Sequence, residues 1–289
     1  MMFVDLHCHS TASDGTLAPT EVVRLAHRNQ LSALSLTDHD TIGGIEEAAA
    51  EAAKLGIDFL PGIEISCEWD AGTMHLLGYG VEPGSEILRD LTRRLLAARD
   101  DRNPRIIRRL NELGLSITMA ELEAEAGGVV VGRPHIAAIL VRKGYVNSIK
   151  QAFDAYLGVG AAAYFDKERI PPREAFDLIH RSGGLPVLAH PAQLRTGNDA
   201  QLERIIKDCK DMGLVGLEVM HSDHNADLVD KYSALAEKFG LLKTGGSDFH
   251  GTNKKNIDLG FAAGRRIPRA WYDALVQRLG RGREVDVGR

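Results

Sequence analysis

Met2-Phe3-Val4-Asp5-Leu6-His7-Cys8-His9 is a short apolar run ending in two histidines, and Ser10-Thr11-Ala12-Ser13-Asp14-Gly15 follows it. Residues i and i+2 of a strand face the same way. His7 and His9 therefore project together from a strand end, and Asp14 returns from the loop beyond. Two imidazoles and a carboxylate suit a divalent metal. A lone His-x-His also fits one packed and one solvated histidine, so the rest of the chain has to decide. Cys8, between them, is expected to face the wall of the fold and to bind no metal.

The same pattern recurs along the chain. An apolar stretch over 31–36 leads into Thr37-Asp38-His39-Asp40, and a strand over 57–65 carries Glu64 near its end. A turn at 69–72 sends the chain back through 74–79, bearing His75. Strands over 185–189, 215–220 and 241–244 run into His190-Pro191, into His221 and His224, and into Gly246-Ser247-Asp248-Phe249-His250. Helical patterns over 19–30, 42–55, 173–181, 199–212, 226–239 and 270–279 separate them. Strands alternating with helices predict βα units and a mainly parallel sheet. His7 and His9, His39, Glu64, His190, Asp248 and His250 sit at or just after C-terminal strand ends, which meet on one face of an α/β barrel. An open doubly wound sheet would not gather all of them, so a barrel is the expected fold.

Residues 85–113 read as one or two long helices, kinked near Pro104. Further helical pieces over 119–125, 135–142 and 148–156 follow without a strand. The expected division is a barrel built from 1–98 and 169–289, with a helical insertion at 99–168 covering the active-site mouth.

Bulk properties exclude several classes. The 289 residues are 44% hydrophobic and 26% charged, an ordinary globular composition. A net charge of −5 does not advertise a nucleic-acid binder. No apolar run approaches the roughly 20 residues of a membrane span, and no secretory leader is visible. Cys8, Cys67 and Cys209 form neither a disulfide framework nor a zinc pattern. A cytoplasmic location with reduced thiols, no membrane association and no obligate protein partner are expected.

His7, His9, Asp14, His39, Glu64, His75, His190, Asp248 and His250 are six of the chain's 11 histidines plus three carboxylates. Nitrogen and carboxylate donors without sulfur suit Mn²⁺, Zn²⁺ or Fe²⁺. Nine candidates exceed one coordination sphere and suggest two or three ions.

The segments Asp5-Leu6-His7-Cys8-His9-Ser10, Ser13-Asp14-Gly15, Thr37-Asp38-His39-Asp40, Gly62-Ile63-Glu64-Ile65, Ala189-His190-Pro191 and Gly246-Ser247-Asp248-Phe249-His250 resemble, in order, the motifs of the PHP (polymerase and histidinol phosphatase) family. The resemblance spans residues 1–100 and 170–260. It implies an α/β fold, a distorted (β/α)₇ barrel, with a trinuclear metal centre. One ion would take His7, His9, Glu64 and Asp248. A second would share Glu64 and add His75 and His190. A third would take Asp14, His39 and His250. Manganese is the metal that the resemblance suggests, with zinc and iron(II) as alternatives.

The chain is similar to stand-alone bacterial phosphoesterases of this family. That implies removal of a phosphate from a small nucleotide, a nucleoside 3′,5′-bisphosphate giving the 5′-monophosphate, with short 5′-phosphorylated RNA as a further substrate. A histidinol phosphate phosphatase is the alternative enzyme, and a non-catalytic, polymerase-associated PHP module is the alternative of another class. The expected nucleophile is a metal-bridging hydroxide held by Glu64. Asp38 either orients an imidazole from behind or caps the next helix.

Arg133 and His135, before a helix in the insertion, and Arg195, after the His190 strand, are candidate phosphate donors. His221 is a candidate pocket residue and proton donor. His27 and His180, within helices, read as ordinary packing or surface residues. Eight arginines between Arg89 and Arg109 could track an RNA backbone. Interleaved acids and the lack of aromatic neighbours favour an ion-paired helix face.

Overall fold

The computed structural model describes residues 2–126, 131–165 and 169–286, without the side chains of residues 99, 100 and 281–286. The strands are β1 (Phe3–Asp5), β2 (Leu31–Leu34), β3 (Asp58–Phe59), β4 (Gly62–Cys67), β5 (Met74–Tyr79), β6 (Leu185–Leu188), β7 (Gly216–Met220), β8 (Leu242–Gly245), β9 (Phe261–Ala262) and β10 (Arg265–Pro268). The helices are α1 (Pro19–Arg28), α2 (Ile45–Leu55), α3 (Glu86–Glu112), α4 (Met119–Ala126), α5 (Arg133–Arg142), α6 (Ile149–Ala152), α7 (Pro172–Arg181), α8 (Asp199–Asp211), α9 (Ala226–Phe239) and α10 (Arg269–Asp286).

Among the described residues the strands form two sheets, ordered β3-β2-β1-β10-β9 and β4-β5-β6-β7-β8. Two parallel bridges join them outside the strands. Cys8 meets Phe249, beyond β1 and β8, and His39 meets Glu64, linking the end of β2 to β4. Backbone bonds from Asp248 to His7 (2.8 Å) and from Asp40 to Glu64 (2.8 Å) reinforce these seams.

Local sequence explains the helix ends. Pro19 starts α1, where a missing N–H costs nothing. Gly56 and Gly240 close α2 and α9 in the left-handed conformation, at φ 70° and 62°. Asn198 and Asn225 cap α8 and α9 by accepting the amides of Gln201 and Leu228.

Four expectations change. The sheet is not mainly parallel: β1–β2, β2–β3, β6–β7 and β7–β8 are parallel, but β4–β5, β5–β6, β1–β10 and β10–β9 are antiparallel. The hairpin at 69–72 reverses the chain before β6 arrives, which forces this mixture. The strand expected over 57–65 is two strands in different sheets. They divide at Pro61, which cannot donate to a ladder. The tail adds a hairpin, β9–β10, that sequence periodicity did not signal in strands this short. The break expected as one alternative at Pro104 does not divide α3, which runs through it as one helix. Packing at both ends outweighs the lost bond: Leu88, Leu91 and Leu95 join the main core, and Ile106, Ile107 and Leu110 join a second one.

That second core consists of buried residues between Ile106 and Ala163. Residue 98 lies inside α3, between the two packed halves, and residue 168 lies outside the described residues. A third cluster packs Val22, Val23 and Ala26 of α1 and Ala48 and Ala52 of α2 with Cys8, Leu34 and Leu36. The main core holds the rest, including Ile63, Ile65, Leu76, Val187, Leu217 and Val219. No helix among the described residues is long and apolar enough to cross a membrane.

Gly246 lets the β8 end approach β1. A methyl group there would sit 2.1 Å from His7 Cβ and 2.4 Å from His7 N. Both neighbours belong to a pinned strand end, so neither can give way. Gly246→Ala should destabilise the fold by about 1–3 kcal/mol, as read by denaturant unfolding.

Candidate metal centre

The ends of β1, β2, β4, β5, β6 and β8 bring the nine expected residues into one buried cluster. Glu64 lies at its middle and is 1% exposed. Its Oε1 accepts from His75 Nδ1 (2.7 Å) and faces His190 Nε2 at 3.0 Å. Its Oε2 faces His7 Nε2 and His9 Nε2, both at 3.3 Å, and His39 Nδ1 at 2.9 Å. Asp248 Oδ1 stands 3.2 Å from His9 Nε2 and 3.6 Å from His7 Nε2. On the far side, Asp14 Oδ1 faces His250 Nε2 at 3.2 Å, and the rings of His9 and His250 stack at 4.0 Å.

The donor atoms fall into overlapping groups. His7, His9 and Asp248 form one; His9, Asp14, His39 and His250 a second; His39, Glu64 and His75 a third. Among the described residues, His7 Nε2, both ring nitrogens of His9, His39 Nδ1 and Glu64 Oε2 are buried without a hydrogen bond of acceptable geometry. Buried polar atoms are seldom left so. Orphaned nitrogen and oxygen donors converging in one place fit divalent cations.

Electrostatics supports this. Burial, with His250 and His39 beside it, lowers the pKa of His9 to about 3. Burial lowers that of His75 to about 4 against the pull of Glu64. Both imidazoles therefore offer lone pairs at neutral pH. Burial opposes ionisation of Glu64, but His39, His75 and His7 hold its carboxyl well below the usual range. Asp248 is likewise held low against burial, with Lys254 the strongest favourable neighbour.

Hydrogen bonds at the second ring nitrogen fix the tautomers of two histidines. Glu218, buried on β7, accepts from His7 Nδ1 at 2.9 Å, which turns Nε2 inward. His250 Nδ1 donates to the Asp248 carbonyl (2.9 Å), which frees its Nε2 toward Asp14. Glu218 escaped the sequence reading. The signal was a lone acid inside the apolar run Val215 to Met220. Lys254, paired with Asp248, also escaped. So did Asp5, whose carboxylate accepts the amides of His7, Ser247 and Gly260.

The remaining candidates divide. Asp38 neither orients an imidazole nor caps α2: its carboxylate takes the Ser10 amide and hydroxyl and the Ser13 hydroxyl. It thereby holds the loop that leads to Asp14. His221 donates from Nε2 to Asp248 (3.0 Å), because its Nδ1 accepts the Asp223 amide. Arg133 and Arg195 line a common cavity of about 820 Å³, with Trp69, Thr73, Tyr164 and Arg169. Thr73 stands two residues from His75. His135 is not on that lining; it is buried, and its Nδ1 accepts the Gly132 amide at the start of α5. On α3, Arg89 pairs with Glu86, Arg93 with Asp90, Arg94 with Glu174, Arg105 with Asp101 and Arg109 with Glu112. This is the ion-paired face that the interleaved acids suggest.

A sequence profile of the PHP domain matches residues 5–222. The chain is 35% identical over 268 residues to a 3′,5′-nucleoside bisphosphate phosphatase of Chromobacterium violaceum, covering 90% of this chain and 91% of the relative. It is 36% identical over 247 residues to a 5′-3′ exoribonuclease of Haemophilus influenzae, covering 85% of this chain and 89% of the relative. A solved structure described as an amidohydrolase from Chromobacterium violaceum, with bound sulfate and no metal, superposes with a TM-score of 0.86. It shares 33% identity and covers 95% of this chain and 96% of its own.

Adjacent residues of one strand end should respond oppositely to truncation. Cys8 is fully buried among apolar side chains, with its thiol on the Ser35 carbonyl. Cys8→Ala should cost about 1 kcal/mol of stability and leave the bound metal, read by elemental analysis, unchanged. His9→Ala should lower metal content and weaken the affinity for manganese by about a hundredfold or more.

Proposed function

The chain belongs to the PHP domain family, and on that premise we propose that it is a metal-dependent phosphoesterase acting on small nucleotides. The favoured reaction converts a nucleoside 3′,5′-bisphosphate to the 5′-monophosphate and phosphate, with trimming of short 5′-phosphorylated RNA as a related activity. The observation that carries this reading is the cluster of orphaned buried donors, together with a cavity lined by Arg133, Arg195 and Thr73, of which Thr73 lies two residues before His75 in the chain.

The proposed ligands are His7, His9, Glu64 and Asp248 for one ion, Glu64, His75 and His190 for a second, and Asp14, His39 and His250 for a third. Glu64 suits the shared position, since its two oxygens face different histidines. When bound, such ions supply Lewis acidity to phosphoryl oxygens and acidify water. Manganese is our choice of metal. The two bridges between the sheets support one ring of seven strands, β1-β2-β4-β5-β6-β7-β8, as a distorted (β/α)₇ barrel. The helices between 99 and 168 form the insertion in this reading, and α5 supplies the cavity with Arg133.

The chain's own groups account for binding and orientation. Arg133 is held by the Leu157 carbonyl (2.9 Å) and lies over the Tyr164 ring. Arg195 is fixed in a left-handed conformation at φ 51°. Two guanidinium groups lining one cavity suit the phosphate that is not cleaved, because both carry a fixed positive charge. The other phosphate would then lie toward His75 and His190. His221 holds Asp248 in place. Its proton is committed to that carboxylate, so we assign it an orienting role.

Manganese-loaded protein should release phosphate from adenosine 3′,5′-bisphosphate and leave adenosine 5′-monophosphate, as followed by chromatography. Histidinol phosphate should be a poor substrate, and chelation should abolish turnover. No release from the bisphosphate or from 5′-phosphorylated oligomers would overturn the proposal. Arg133→Ala and Arg195→Ala should each raise KM by about ten- to a hundredfold, the loss of a hydrogen bond to a charged group, and change kcat less.

A further inference from the structure

Glu218 is a fully buried acid on β7, flanked by Leu217 and Val219 of the main core. A carboxylate in such surroundings is costly unless both oxygens are bonded. Here each oxygen serves a different strand. Oε1 takes the ring proton of His7, beyond β1, at 2.9 Å, and Oε2 takes the backbone amide of His190, beyond β6, at 2.7 Å. His190 sits at φ 24° and ψ 67°, a conformation that L-residues avoid. A charge-assisted bond to its amide offsets that strain.

Glu218 and the rings of His7 and His221 also bring donor atoms together. This group is already satisfied internally and makes no additional cation site. Glu218 bonds His7 and His190, while His221 bonds Asp248 and Asp223.

We infer that Glu218 is the positioning residue that sets two proposed metal ligands at once: it holds His7 in the Nδ1–H tautomer, so that Nε2 presents a lone pair, and it fixes the backbone from which His190 enters the cluster. This rests on the metallophosphoesterase reading above and extends it to a residue outside the proposed coordination sphere.

The isosteric change Glu218→Gln separates chemistry from shape. A glutamine has one acceptor and one donor end. The His190 amide can only donate, so the glutamine oxygen must face it. The –NH₂ then faces His7 Nδ1 and is satisfied only when that nitrogen accepts. The His7 proton must move to Nε2, which points at Glu64 and Asp248 and would no longer offer a lone pair.

The experiment uses full-length protein labelled with ¹⁵N-histidine, stripped of metal and held at a pH high enough to keep His7 neutral, since against burial Glu218, Glu64 and Asp248 raise its pKa well above the ordinary imidazole value, together with manganese titration followed by the EPR signal of free Mn²⁺. Metal-free wild type should show His7, identified by its loss in His7→Gln, as the Nδ1–H tautomer. Glu218→Gln should show it as the Nε2–H tautomer, with manganese bound about 10- to 100-fold more weakly at one site. Glu218→Asp retains an acceptor facing His7 and should restore the Nδ1–H tautomer and part of the affinity. A Glu218→Gln protein with an unchanged His7 tautomer and unchanged manganese affinity would overturn the inference alone. A wild type that binds no manganese would overturn both the inference and the function it rests on.

Discussion

A carboxylate taken almost wholly out of water must be compensated where it lies, and the interior of this protein is organised around that requirement at Glu64. Its two oxygens face five imidazoles supplied by four other strand ends. No single element could provide these contacts. The seam between β2 and β4, the hairpin β4–β5 and the antiparallel pair β5–β6 are what put His39, His75 and His190 around one acid. The neutral His9 and His75 and the ionised acids follow from burial and mutual proximity together, while the carboxylates around His7 and His39 push those two imidazoles up. Isolated imidazoles so deep would be neutral, and isolated carboxyls protonated.

A layer of residues around this centre holds it in shape. Asp38 ties down the loop before Asp14, His221 and Lys254 share the outer oxygen of Asp248, and Asp5 gathers three amides where β1 meets the Ser247 and Gly260 segments. Glu218 reaches two histidines from one strand. None of these side chains faces the cavity of Arg133 and Arg195. The cavity and the geometry of the cluster are therefore shaped by different residues.

Much of this was legible without coordinates. The residues that converge were readable because strand periodicity and turn residues place most of them at C-terminal strand ends, and the turn at 69–72 returns His75 at the start of the antiparallel β5. The ion-paired face of α3 was readable from acids spaced three or four residues from the arginines. The pairing directions were not, since antiparallel or parallel pairing depends on which strand becomes the neighbour. The role of Asp38 was misread because its partners, Ser10 and Ser13, are distant in sequence. His135 was misplaced for a related reason: a residue at a helix start can turn outward to a ligand or inward to its own cap, and the Gly132 amide decides for the cap.

The sequence by itself determined the alternation of elements, the nine residues of the cluster and the family, because these are properties of local periodicity and of motif order. The tertiary structure alone decided which nitrogen of His7 faces inward, which acid stands behind it, and that Arg133 and Arg195 share one cavity. Those features depend on contacts between residues tens to hundreds of positions apart, as between His7 and Glu218. Such contacts exist only once burial has selected one packing of the strands.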